Sequence, residues 1–265
     1  MLIRKPELFH VILILLSGLL LLFIISPLLG LFLHSTGKNI FDTLYDKEVQ
    51  SSIILTLLVS FCGTLLFAFL SVPLAYLLAR KEFPGKRLIS GIIDLPIIIP
   101  HSAAGIAVLG FISRDSAIGK LAGSFGLNLI GHPAGIALAM AFVSVPFLIN
   151  AARDGFMNVP VRYEKAALSL GASPVRVFFT ISLPLAWRNV LSGFVMMFGR
   201  GMSEFGAVVI IAYNPMTTPV LIYERFTDFG LKYAQPVSVI FILVCLLIFL
   251  ILRLLSTKTK KRAEH

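Results

Sequence analysis

Three formally charged side chains stand inside runs of apolar residues: Asp94, Arg200 and Glu204. At the centre of a bilayer each would cost about 2.5–3.5 kcal/mol if unpaired, so each must face a protein interior or a boundary. Arg200 and Glu204 are four residues apart and can pair on one helix, with Ser203 beside them. As a packing device the pair, completed by Asp94 from another segment, fixes helix contacts or latches a gate. As a transport device, Arg200 supplies positive charge to a passing anion. A pathway must release what it admits, which favours packing or a latch over tight binding. His101 follows Pro100 in an apolar segment and is read as a packed residue at a kink, because a ligand site needs clustered partners.

Other chemistry is excluded by what the sequence lacks. It has no HExxH, no GxSxG and no phosphate-binding glycine loop ending in Lys-Ser or Lys-Thr. The five histidines are scattered, and Cys62 and Cys245 lie in apolar runs without pairing or metal-ligand spacing. No catalytic residue and no metal site is predicted, so uphill movement of anything must draw its energy from a partner.

The stretch from Pro160 to Pro184, PVRYEKAALSLGASPVRVFFTISLP, is too polar and broken to cross a membrane. Tyr163, Ala166, Ala167 and Leu170 recur at i, i+3, i+4 and i+7, one face of a short helix. Pro160 is tolerated in its first turn and Gly171 stops it. Ser173-Pro174 reads as an N-cap and first residue of a second helix, with Val175, Phe178 and Phe179 available for burial. Two short helices joined by a glycine turn make a low knob that a groove on another protein can approach. The alternative from periodicity alone is an amphipathic pair lying on lipid.

The elements that carry these residues are membrane spans. Of the 265 residues 57% are hydrophobic and only 14% charged, against about 25% charged in a typical soluble domain. The mean hydropathy is +0.94. Six segments reach roughly the 20 apolar residues a span needs: about 11–33, 51–79, 88–112, 133–152, 185–212 and 234–254. The first, 23 uncharged residues from Val11 to Leu33, is too long for a signal peptide and is read as a retained span. The third contains Pro96 and Pro100, and the fourth Pro146. The net charge of +10 is not a nucleic-acid signal, because the basic residues flank spans. Sixteen Lys and Arg fall on one set of flanks, six on the other, and Arg200 lies between, accounting for all 23. The richer side is cytoplasmic, with both termini and the 160–184 stretch. The outer loop 113–132 is glycine-rich and is expected to form a turn-rich or re-entrant cap.

The loop pattern resembles the cytoplasmic signature of ABC importer permeases: an EAA triplet, three residues, Gly, nine residues, then I-x-L-P. Gly171, Ile181, Leu183 and Pro184 match, as do Ala166 and Ala167, whereas Lys165 stands in the acidic position with Glu164 one residue earlier. The acidic contact is then made by Glu164 from a rotated position, or is missing. The segment GMSEFGAVV, together with DLPIIIPHSAAGIAV and PVLIYERF, resembles the oxyanion branch, nearest to archaeal molybdate/tungstate permeases, with sulfate permeases next.

The resemblance covers roughly Ser51 to Leu254. It implies an all-α polytopic protein of six transmembrane helices with the type I ABC importer permease fold. It divides the chain into an N-terminal span and outer loop (1–50), a five-span core (51–254, coupling loop 154–184) and a basic cytoplasmic tail (255–265). It further implies a multi-pass protein of the cell membrane that forms a homodimer. The partners implied are two ATPase subunits, which bind ATP and Mg²⁺, and an extracytoplasmic oxyanion-binding protein; no cofactor belongs to this chain. Coupling falls to Tyr163, Glu164, Ala166, Ala167, Leu170, Gly171, Ile181 and Pro184, and the gate to spans three and five. The alternatives are a sulfate permease and, from another class, a secondary transporter.

Overall fold

The computed structural model describes residues 8–35 and 37–261, and every regular element among them is helical. In chain order these are α1 (Leu8–His34), α2 (Gly37–Leu44), α3 (Lys47–Arg80), α4 (Lys86–Ile98), α5 (His101–Ile112), α6 (Ala117–Ser124) and α7 (Pro133–Asn158), followed by α8 (Val161–Ser169), α9 (Pro174–Val177), a π-turn (Phe178–Ser182), α10 (Leu183–Met202), α11 (Val208–Ile211), α12 (Thr218–Phe229) and α13 (Leu231–Lys261). Five helices are long and apolar enough to cross a membrane, six if the bent pair α4 and α5 counts as one span. The tail expected at 255–265 continues α13 as far as Lys261; Arg4, Lys5 and residues 262–265 lie outside the described residues.

α7 is the centre of the bundle and packs against α3, α10, α4 and α5. More than half of its most apolar stretch is buried (56%), whereas that of α1 is wholly exposed. The buried positions of α7 are rich in small residues, among them Gly135, Ala139, Ser144, Ala152 and Gly155. Lipid is as apolar as Leu, so helices in a membrane associate through close packing and internal hydrogen bonds. At Gly155 a Cβ would stand 2.4 Å from Asn189 Cβ, so only glycine lets α10 come this near. Hydroxyls add the hydrogen bonds: Ser60 donates to the Phe198 carbonyl (2.9 Å), and Thr218 N–H donates to Thr56 Oγ1 (2.8 Å). These tie α3 to α10 and to α12.

Span three is broken where a proline kink is expected, and span five does not run on as one helix. Span three is two helices bent by 114°. Pro100 has no N–H to continue α4 and forces Ile99 into an extended conformation (φ −71°, ψ 149°). Pro96 is absorbed within α4. Span five is helical only to Met202, and a non-helical segment precedes the short α11. Ser203 Oγ donates to the Arg200 carbonyl, and the Glu204 carboxylate accepts the Ala207 N–H, so side chains displace the helical ladder. The glycine-rich loop 113–132 holds α6, whose start is capped by Ser116 Oγ accepting from Gly119 N–H (2.9 Å).

At the end of the bundle where α3 begins, Arg225 of α12 bonds Asp46 (2.7 Å) and Glu48 (2.8 Å). Burial alone would raise the Asp46 pKa. The hydrogen bond and charge of Arg225, with backbone donors, outweigh burial and hold it below its ordinary value. Asp46 also caps α3 through Glu48 N–H (2.9 Å).

Candidate functional site

The 160–184 stretch folds as two short helices at the end of the bundle where α3 and α7 finish. α8 closes in a Schellman motif: Ala172 N–H bonds the Ala167 carbonyl and Gly171 N–H the Leu168 carbonyl, with Gly171 at φ +86°. Ser173 caps α9, and Pro174 opens it. The chain then widens into the π-turn before Pro184, which has no N–H to offer the Thr180 carbonyl and would press its ring on a regular turn. Ile181 is half-buried and Pro184 exposed. Tyr163, Ala166 and Leu170 are exposed, Leu170 at 89%, and Ala167 is half-buried. Of the residues expected to be buried on the second helix, Phe178 packs edge-on against Tyr76 (5.0 Å), whereas Val175 and Phe179 are exposed.

Glu164 turns the other way, so it supplies no outward acidic contact. Its side chain is buried, and its carboxylate accepts from Arg80 Nε (2.9 and 3.0 Å), Arg80 Nη2 (2.8 Å) and Ser182 Oγ (2.7 Å). Arg80 Nη2 also donates to the Val159 carbonyl (3.0 Å). One carboxylate thus clamps the end of α3 and the start of α10 to α8, and Arg80 ties the end of α7 to the same point. Arg80 and Ser182 were not legible as partners in the sequence, because they are 84 and 18 residues away.

The second site lies where the two broken spans meet. Gly201 abuts Ser60 and Ser144, near the middle of α3 and α7, so the break in span five is deep in the bundle. Glu204 is 1% exposed. Its Oε2 bonds Arg200 Nη2 (3.0 Å) and His101 Nδ1 (2.7 Å), while its Oε1 accepts from Ala207 N–H (2.9 Å). Arg200 Nη2 also lies 2.9 Å from both ring nitrogens of His101, and Nη1 donates to Ser203 Oγ (3.3 Å). His101, Arg200, Ser203, Glu204, Phe205 and Gly206 line an open pocket of about 330 Å³.

The expected Arg200–Glu204 pair is formed, but Glu204 lies past the end of α10 and not on one helix with Arg200, and the third member is His101 and not Asp94. Asp94 lies on α4, before the break, and accepts from Asn150 Nδ2 of α7 (2.6 Å). The sharp bend at Pro100 places the two ends of span three against different neighbours. No group of residues that could hold a metal occurs among the described residues.

α5 and α11 meet backbone to backbone beside this cluster. A Cβ at Gly105 would stand 2.9 Å from Ala207 Cα and carbonyl O. Gly105→Val is therefore expected to push α11 away and destabilise the protein by about 1–3 kcal/mol, read as a lower Tm in detergent. Gly110→Ala, on the open side of the same helix, should leave Tm unchanged; equal Tm values for the two variants would refute the close contact.

The bundle thus carries a clamped knob at one end and two broken helices at mid-depth. The chain belongs to the family of binding-protein-dependent transport system inner membrane components, whose model matches residues 71–261. It is therefore a multi-pass membrane transport component and not an enzyme. It is 40% identical over 92% of its length to the molybdate/tungstate transport system permease protein of Pyrococcus abyssi, covering 94% of that chain. It is 39% identical over 89% of its length to the counterpart from Methanocaldococcus jannaschii, covering 92%. A probable sulfate transport permease of Chlorokybus atmophyticus is 31% identical, with 84% of this chain and 80% of the relative covered. Among solved structures, the bacterial alginate ABC importer superposes with a TM-score of 0.74 at 17% identity, covering 95% of both chains.

Proposed function

We propose that this chain is the permease subunit of an ATP-driven importer of molybdate or tungstate. The observation that carries the substrate assignment is the 40% identity to a molybdate/tungstate permease over nearly the whole of both chains. Two copies form the pathway at their interface. Two ATPase subunits, holding ATP and Mg²⁺, seat on the knobs from the cytoplasmic side, where both termini also lie. An extracytoplasmic binding protein delivers the oxyanion to the opposite end. The solved alginate ABC transporter in complex with its periplasmic protein supports a partner of this last kind. The His101–Arg200–Glu204 cluster, with Ser203 beside it, joins the broken spans three and five and acts as the latch between outward- and inward-facing states. A second reading rests on the pocket that Arg200 lines, in which the guanidinium meets the passing anion.

Proteoliposomes containing this chain, its ATPase and its binding protein should take up labelled molybdate only with ATP inside. Uptake without ATP would overturn the mechanism, and uptake of sulfate alone would overturn the cargo. Gly171→Val tests the coupling. No atom lies within 4 Å of a Cβ at this position, so the strain comes only from the positive φ, which a β-branched residue resists. The variant should insert and assemble yet lose most ATP-driven uptake; full uptake would refute the knob's role.

A further inference from the structure

The burial of Glu164 changes the electrical character of the knob. Between Pro160 and Pro184 the formally charged residues are Arg162, Glu164, Lys165 and Arg176. The one carboxylate is consumed internally by Arg80 and Ser182, while all three basic side chains are exposed. Among the described residues none of the three has a carboxylate partner; Arg162 rests only over the ring of Tyr163 (5.3 Å).

The direction of this charge follows from helix geometry. Glu164 fixes the side of α8 that faces the ends of α3 and α10. At 3.6 residues per turn, Arg162, Ala166 and Leu170 lie on the opposite side, with Tyr163 and Lys165 flanking them. The small Ala166 and the 89%-exposed Leu170 therefore stand in a basic rim turned away from the bundle. A helix resting on lipid would turn its apolar residues toward the membrane and not away from the helix ends that enter it.

We infer that the knob makes a basic contact, and that the groove receiving it on the ATPase is apolar at its floor and lined by carboxylates at its rim. This rests on the coupling role proposed above. Leu170 fills the floor, and Lys165 with Arg162 meets the acids. Rim charges act on encounter and specificity and are screened by salt, so assembly should weaken as ionic strength rises.

The test uses the detergent-solubilised complex of full-length chain and ATPase. A carbodiimide joins an amine directly to a carboxylate, so treatment should link Lys165 to an Asp or Glu of the ATPase, identified by mass spectrometry. Lys165→Arg should abolish that cross-link while leaving assembly intact. Lys165→Glu with Arg162→Glu should weaken ATPase binding by about tenfold or more at low salt, with rescue when the cross-linked acid is changed to Lys. An assembled complex without a Lys165 cross-link, or undiminished binding by the double reversal, would overturn the acidic groove while leaving the docking role standing. If the ATPase does not bind the chain at all and the basic residues alter only association with anionic vesicles, both the groove and the docking role fall.

Discussion

Glu164→Ala should disable the transporter while leaving it in the membrane. The substitution leaves Arg80, a 10%-exposed side chain, without its carboxylate, and removing one partner of a buried ion pair costs about 3–5 kcal/mol. Because the carboxylate of Glu164 holds α8 to Arg80 at the end of α3 and to Ser182 at the start of α10, the knob would loosen from the spans it drives. ATP hydrolysis should continue with uptake reduced at least tenfold, together with a lower Tm. Adding Arg80→Ala removes the stranded charge and should recover much of the Tm but not the uptake, since no strut is restored. If Glu164→Ala changes neither Tm nor the ratio of uptake to hydrolysis, the clamp does not transmit force. Lys165→Ala, one residue away and exposed, is the contrast and should leave Tm within about 0.5 kcal/mol equivalent.

Arg200→Gln has the second large effect. It strips the cation from a carboxylate that is 1% exposed, and the same class of penalty applies, about 3–5 kcal/mol. His101 and the Ala207 N–H still hold Glu204, so the protein should assemble at reduced Tm. The double variant Arg200→Gln with Glu204→Gln removes both charges and should restore Tm. Its uptake then separates the two roles of the cluster. A latch built of this pair should still turn over with two neutral hydrogen-bonding amides, with Km unchanged. An anion contact through Arg200 should remain impaired, with Km raised, since the guanidinium is gone from the pocket. Unchanged Tm and uptake in Arg200→Gln alone would defeat both roles.

These effects trace back to different levels of the chain. The spans are legible in the sequence because burial in lipid demands long apolar runs whatever their neighbours are. The knob is legible because its signals are local: Gly171 at a Schellman position, Ser173 and Pro174 at a helix start, and the distance to Pro184. The Arg200–Glu204 pair is legible because residues four apart stay close along the chain, although Glu204 lies past the end of α10 at Met202 and not on the helix itself.

What the sequence alone determined is thus the membrane class, the set of spans, the position of the knob and the nearness of Arg200 to Glu204, all consequences of short-range chain geometry and of the solvent. Tertiary structure decided which way Glu164 faces, because its partner Arg80 is brought near only when α3 packs on α7. It decided that His101, not Asp94, completes the cluster, because the 114° bend at Pro100 sends the two halves of span three to different neighbours. It also decided that the helix carrying Arg200 ends at mid-depth. A carboxylate placed where α5 and α11 converge bonds a backbone amide and a histidine instead of continuing the helix. Such choices depend on distances between residues a hundred positions apart, and those distances are set by packing.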